Sequence, residues 1–160
     1  MSGSFHLAQI NVGKILGPID SAVMAGFVAL LPEVNALAEA SPGFVWRLQT
    51  DEGNATSVHA FSDPMMLMNM SVWESIESLR AFTYQSRHLG PLKDRAKWFE
   101  LPKEPHMALW WVPVGHVPSV EEGVERLLHR RAHGDTEYAF SFTNSFPAPQ
   151  KETKTAEVSS

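Results

Sequence analysis

Glycine and proline cut this chain into segments whose apolar period switches between two and about 3.6, and the order of those periods constrains the fold more than any single residue does. Residues 5–12 alternate, with Phe5, Leu7, Gln9 and Asn11 on one face and His6, Ala8, Ile10 and Val12 on the other, so both faces of this strand call for cover. After Gly17 and Pro18, Asp20 is a good N-cap, and Val23, Phe27, Leu30, Leu31, Val34, Leu37 and Ala38 recur at helical spacing. Pro32 lies inside that helix, where its missing amide is expected to kink or divide it at Leu31. Pro42 and Gly43 end the helix and residues 44–49 make a second strand, with Phe44, Trp46 and Leu48 opposed to Val45, Arg47 and Gln49. Turn residues fill 51–54, and 55–61 read as a loop. Residues 65–73 form a third, nearly all-apolar strand, with Leu67, Asn69, Ser71 and Trp73 on one face; an antiparallel hairpin with the second strand is its natural pairing.

Ser75 caps a helix carrying Ile76, Leu79 and Phe82, and Pro91 opens a short one through Leu92, Ala96 and Phe99. Residues 106–114 are a fourth strand, whose Pro113 suits an edge or an end. Ser119 and Glu122 form a capping box, opening a helix with Val124, Leu127 and Leu128 inward and Arg126, Arg130 and Arg131 outward. Residues 138–142 alternate as a last short strand, and 147–160 are polar without apolar period, as in a disordered tail. Strand, helix, strand, strand, helix, strand is the split βαβ order. It predicts an α+β fold, a ferredoxin-like antiparallel sheet with helices on one face, in a single domain over 1–146. The other sheet face, rich in Met and Phe, is too apolar for water, and a homodimer closing sheet on sheet would bury it.

Composition narrows function mainly by exclusion. The net charge of -5 comes from interspersed acids and bases, so no broad surface attracts phosphate backbones, and nucleic acid is not an expected partner. With no cysteine there are neither disulfides nor thiolate sites. The start, Ser2, Gly3 and Ser4, lacks the pattern of a secretory signal, and the longest apolar run, 23–31, is about half of the roughly 20 residues a membrane span needs. A cytoplasmic protein without membrane contact is the expectation. His6, His59, His106, His116, His129 and His133 are scattered without the spacing of a metal-binding helix motif, no Gly-rich phosphate loop follows a strand, and no nucleophile elbow is present.

The residues able to grip a small molecule concentrate in 65–99: Asn69, Trp73, Tyr84, His88, Arg95 and Trp98. An amide in an apolar strand must be satisfied, so Asn69 bonds either a ligand or neighbouring backbone. Trp73, on the same face, either stacks on a planar ligand or packs in the core. His88, four residues after Tyr84, can act as a general base, ligate haem iron, or close its helix through the last carbonyls. Arg47 and Arg95 are either carboxylate clamps or surface cations. Trp46, Trp98, Trp110 and Trp111 add the aromatic surface that a pocket for a flat ligand, or a core, requires.

Trp73-Glu74-Ser75 leading to Leu79, Phe82, Ser86 and His88 resembles the pattern of the dimeric α+β barrel proteins, in particular antibiotic-biosynthesis monooxygenase-like domains. Over 5–146 the chain is more similar still to an uncharacterised bacterial branch of that superfamily, through Leu7-Ala8-Gln9-Ile10-Asn11, Gly43-Phe44-Val45-Trp46-Arg47-Leu48, Arg95 with Trp98-Phe99, and Leu109-Trp110-Trp111-Val112-Pro113. The superfamily includes cofactor-independent oxygenation of aromatic polyketides, haem binding or degradation, and aldoxime dehydration on haem. The resemblance matches Asn69, Trp73 and Asn11 to an Asn and a Trp on the third strand and an Asn on the first in the monooxygenase branch. It implies an oxygenase of secondary metabolism acting on a planar, phenol-like substrate without flavin or metal. In that reading His88, Asn69 and Trp73 are catalytic, and Asn11, Trp46, Tyr84, Arg95 and Trp98 bind substrate. Two alternatives stand beside it: a haem protein with His88 as ligand and Arg95 near a propionate, and a non-catalytic binding or scaffold dimer.

Overall fold

Why both faces of the first strand are apolar becomes clear from its place in the sheet. The computed structural model describes residues 4–49, 65–87 and 98–149, and the structural statements below concern these. Strand β1 (Phe5–Lys14) lies between β3 (Met66–Trp73) and β4 (Met107–Pro113), β2 (Phe44–Arg47) pairs with the far side of β3, and all three pairings are antiparallel. The strand order β2-β3-β1-β4 is that of the ferredoxin-like fold, and the helices α1 (Ala25–Ala40) and α2 (Ile76–Arg87) sit on one face of it. The β2–β3 hairpin forms as expected. Pro113 falls at the end of the edge strand β4, opposite Phe5, where no ladder donor is missed.

Local chemistry sets the helix ends. Ser75 Oγ accepts from the Ser78 amide at 3.1 Å to open α2, and a short 3-10 turn at Ala22–Met24 leads into α1. The expected division at Pro32 does not occur. α1 runs unbroken through it, and Val28, whose carbonyl the proline leaves without its donor, is exposed, so water can take the bond. From Ala22 to Ala40 this helix is long and apolar enough to cross a membrane by length and composition alone, with a mean hydropathy of 1.4. Here it packs on the sheet through Leu30 and Ala38, while Val23 and Val28 stay exposed.

The opposite face of the sheet, expected to await a second copy, is covered by the chain itself. α3 (Val120–His133) lays Leu127, Val120 and Val124 over Ile10, Met68, Met70 and Trp110. Gly123 makes the close approach possible, since a Cβ there would stand 2.4 Å from Met70 Sδ and 3.2 Å from Ile10 Cδ1. The inward stripe is therefore Val120, Gly123, Val124 and Leu127, and Leu128, expected inward, is 49% exposed. Arg126 and Arg130, expected outward, turn back onto the protein. Arg126 lies over the Tyr138 ring at 3.8 Å, and Arg130 donates to Asp135 Oδ1 at 2.6 Å and to the Met107 carbonyl at 2.8 Å.

Half of the capping box forms: Ser119 Oγ accepts from the Glu122 amide at 3.1 Å. The Glu122 carboxylate goes elsewhere, accepting from Trp110 Nε1 at 2.9 Å and meeting His116 Nε2 at 2.7 Å, which ties α3 to β4. The expected strand at 138–142 reduces to two isolated bridges: Phe140 exchanges both backbone bonds with Leu109 at 2.8 and 2.9 Å, and Ala139 pairs back on Thr136. Beyond them the turn is held by Asp135, which accepts from Arg130, Ser141 Oγ and Asn144 Nδ2.

Burial pushes the Asp135 carboxyl up, but the bonds from Arg130, Asn144 and Ser141 and the Arg130 charge outweigh it, so its pKa lies below the ordinary aspartate value. Glu122 is likewise held low, burial being outweighed by His116, Trp110 and Arg126. A carboxyl with a lowered folded pKa contributes stability that is fully present above its unfolded pKa, about 4, and is lost as pH falls through the folded value. Thermal melts between pH 7 and 2 are expected to show the loss setting in below about pH 4. Asp135→Asn lowers the melting temperature at pH 7, by the equivalent of about 1–3 kcal/mol, and flattens that acid limb.

Candidate functional site

Three rows of side chains cross the sheet face beneath α1 and α2, fixed by strand register. Phe44, Trp73, Leu7 and Trp111 are aligned in the first, Arg47, Ser71, Gln9 and Leu109 in the second, and Asn69, Asn11 and Met107 in the third. Strand pairing thus concentrates four uncharged polar residues, Gln9, Asn11, Asn69 and Ser71, in the middle of one face. Above them α1 contributes Phe27, Leu30, Leu31 and Val34, and α2 contributes Leu79, Phe82 and Thr83. The space between is a cavity of about 520 Å³, of the size that holds a small organic molecule.

The floor is held by a chain of hydrogen bonds. Trp73 Nε1 donates to Ser71 Oγ at 2.8 Å; Gln9 Nε2 donates to the same Ser71 oxygen at 2.8 Å and to Asn69 Oδ1 at 2.8 Å. Gln9 and Ser71 are buried, and Asn69 is exposed at the mouth. Asn11 faces Asn69 across the β1–β3 ladder and also lines the cavity. At one end stands Arg47, its Nε on Glu39 at 2.7 Å; at the other stands Arg130 with Ser141 and Phe142. His106 lines the same end.

The structure brings Asn11, Arg47, Asn69 and Trp73 to one cavity and leaves Trp46, Tyr84 and Trp98 out of its lining. Trp73 is fully buried, stacked on Phe82 at 5.1 Å and 24° and edge-on to Phe44 at 5.5 Å, so the ring face is taken by protein. Trp46 packs on the opposite sheet face. A register shift between Phe44 and Trp46 sets Phe44 opposite Trp73 but Trp46 opposite Val72, so two residues expected on one face lie on different ones. Trp98 is buried against Phe27 and Gly26 behind the cavity wall, where Phe99 does the lining. Tyr84 is 66% exposed on α2. His88 and Arg95, and with them the short helix expected after Pro91 and the loop at 55–61, lie outside the described residues.

Sequence reasoning passed over Gln9, Ser71 and His106. Gln9 shares its face with Asn11, and Ser71 with Asn69, so the signal was a polar pair at the same parity on two strands that pair with each other. Among the described residues no group of three or more His, Cys, Asp or Glu side chains could hold a metal ion. Both residues on which a haem reading rests, His88 and Arg95, are outside the described set.

A protein family described as "Domain of unknown function (DUF3291)" matches residues 6–156. No curated protein matches the chain. Solved structures similar to it include a variant of SnoaB, a cofactor-independent oxygenase from Streptomyces nogalater, at 14% identity and a TM-score of 0.42, covering 70% of this chain and 95% of that one. A protein of unknown function from Nitrosomonas europaea is 15% identical with a TM-score of 0.41, covering 73% and 96%. One described as a candidate antibiotic biosynthesis monooxygenase from Chloroflexus aurantiacus is 18% identical with a TM-score of 0.37, covering 72% and 98%.

The opposed placement of two tryptophans has a measurable consequence. With any planar ligand that binds, Trp73→Phe changes the affinity, because it removes the indole donor from the cavity floor, whereas Trp46→Phe leaves the affinity unchanged; equilibrium binding of the two variants checks this.

Proposed function

We propose, for a chain that belongs to the DUF3291 family, that the cavity binds a planar, phenol-like small molecule and that the protein is a monooxygenase-like enzyme acting on it without flavin or metal. The observation that carries the reading is the composition of the cavity: uncharged amides and a hydroxyl on a rigid sheet floor beneath a ceiling of Phe27, Leu30, Phe82 and Leu79. Such a floor orients the oxygen of a flat molecule by hydrogen bonds, and the apolar ceiling excludes water from a reactive carbanion. The likeness of sequence segments to monooxygenase-like domains supports oxygenation as the reaction class.

The chemistry balances without an external reductant. Deprotonation of the phenol gives a phenolate whose ring carbon carries carbanion character; it adds dioxygen to form a hydroperoxide, which loses water to leave a carbonyl. One oxygen atom enters the product, the other leaves as water, and the substrate supplies all four electrons. Asn11 and Asn69 orient the oxyanion and the oxygen species. Trp73 braces the floor, stacked on Phe82 and bonded through its indole nitrogen to Ser71. His88 is the proposed proton acceptor on the strength of sequence, and His106 is an imidazole on the cavity wall that can serve in the same role.

The test is oxygen uptake with a tricyclic phenol. One dioxygen is consumed per quinone formed, and Asn69→Ala lowers kcat/KM by about tenfold or more, the equivalent of roughly 1.4 kcal/mol of transition-state stabilisation. Polycyclic phenols that neither bind nor react, with Asn69→Ala indistinguishable from wild type, end the proposal.

The reading includes a homodimer in the cytoplasm. Since α3 closes the sheet face first expected to join two copies, a dimer has to use another surface, and the exposed Leu16, Val23 and Val28 around the start of α1 are available for it. Sedimentation equilibrium is expected to give twice the chain mass of 17.8 kDa, and Val28→Glu to shift the mass toward one chain; a wild-type value of one chain mass at every concentration rules the dimer out.

A further inference from the structure

The hydrogen bonds on the cavity floor have a direction. An indole N–H can only donate, so Ser71 Oγ is an acceptor toward Trp73, and it accepts again from Gln9 Nε2. With both lone pairs engaged, the serine hydroxyl has one remaining capacity, its own proton, and no acceptor for that proton stands among the described residues. Ser71 is 8% exposed and lines the cavity, so a buried O–H points where a ligand would lie. The same logic applies one row along the strand. Gln9 Nε2 spends its two protons on Ser71 and on Asn69 Oδ1, which leaves the Asn69 Nδ2 group as the outward end of that amide. Ser71 and Asn69 both lie within hydrogen-bond distance of a single Gln9 nitrogen, so their outward donors are neighbours. The floor therefore presents protons to the cavity, and a donor group on the ligand would meet donors.

We propose that Ser71 is a substrate-binding donor for an anionic oxygen, that Asn69 Nδ2 is its companion, and that Trp73 and Gln9 are positioning residues acting through Ser71 by filling both of its lone pairs. The proposal deepens the small-molecule reading of the cavity and rests on it: the preferred occupant is the phenolate or enolate form, and the site lowers the pKa of the hydroxyl it binds. Hydrogen bonds to a charged acceptor are stronger than those to its neutral form, so the ionised ligand gains more from the two donors than the neutral one.

The probe is para-nitrophenol, whose phenolate has its own visible absorption band. Titrated with the full-length protein across neutral pH, the bound phenol is expected to ionise about one pH unit lower than the free one. Ser71→Ala abolishes the shift, Ser71→Thr, which keeps the hydroxyl, retains it, and Trp73→Phe, which frees one lone pair and lets the serine proton turn away, reduces it. A bound phenol with an unshifted or raised pKa in the wild type overturns the proposal, as does a full shift in a Ser71→Ala protein that melts normally. Should Ser71→Ala fail to fold, since it leaves the Gln9 and Trp73 donors without their acceptor, para-nitroanisole decides on the wild type: the methyl ether is expected to bind at least tenfold more weakly than the phenolate at alkaline pH, about 1.4 kcal/mol, and equal binding overturns the proposal. Failure of both probes to bind at all overturns the small-molecule reading itself, and this proposal with it.

Discussion

The structure depends on β1 being enclosed on every side. It is hydrogen-bonded along both edges, to β3 and to β4, and Leu7, Ala8, Gln9, Ile10 and Val12 along its middle are buried. A polar side chain buried in such a strand needs hydrogen-bond partners, and Gln9 finds them on the neighbouring strand in Ser71 and Asn69. Trp73 follows from the same constraint. A fully buried indole needs an acceptor for its nitrogen, and Ser71, two residues earlier on the same face of β3, supplies it. What results is a sheet floor whose side chains hold one another in place before any ligand arrives, which is what precise orientation of a substrate oxygen requires.

Covering the two faces calls for different packing. On the cavity side α1 stays away from the sheet centre, leaving room over Gln9, Asn11 and Ser71, while its ends close against Leu67 and Trp98 at one side and Leu7 and Leu79 at the other. On the far side α3 packs as tightly as a helix can, with Gly123 against Met70 and Ile10. Half-buried carboxylates hold α3 down at both ends, Glu122 through Trp110 and Asp135 through Arg130, Ser141 and Asn144. Both faces carry buried apolar clusters, and the largest lies on the α3 side.

Much of this is legible in the chain. Strand and helix order, the β2–β3 hairpin, the Ser75 and Ser119 caps, the edge position of Pro113 and the shared face of Leu67, Asn69, Ser71 and Trp73 follow from period, turn chemistry and capping, all of which are local. Three things are not. The face of Trp46 depends on a bulge that shifts the β2–β3 register by one residue, and nothing in the alternation of 44–49 announces it. The direction of Arg126 and Arg130 depends on Tyr138 and Asp135 coming back over α3 after Gly134 turns the chain. The cover on the second sheet face depends on α3 returning to β1 and β3, elements more than a hundred residues earlier in the case of Ile10.

For the site itself, the sequence by itself determined which face each residue of β1 and β3 would take, because side chains on a strand alternate with a period of two whatever the surroundings. It thereby determined that Asn11, Asn69 and Ser71 had partners of like parity. Only the tertiary structure decided that β1 and β3 pair in the register that sets Gln9 opposite Ser71 and Asn11 opposite Asn69, that Trp73 would spend its face on Phe82 and its nitrogen on Ser71, and that a space would remain above them. Register and cavity are properties of chains of contact between distant segments, settled by the best joint burial of all of them, and no local period encodes that balance.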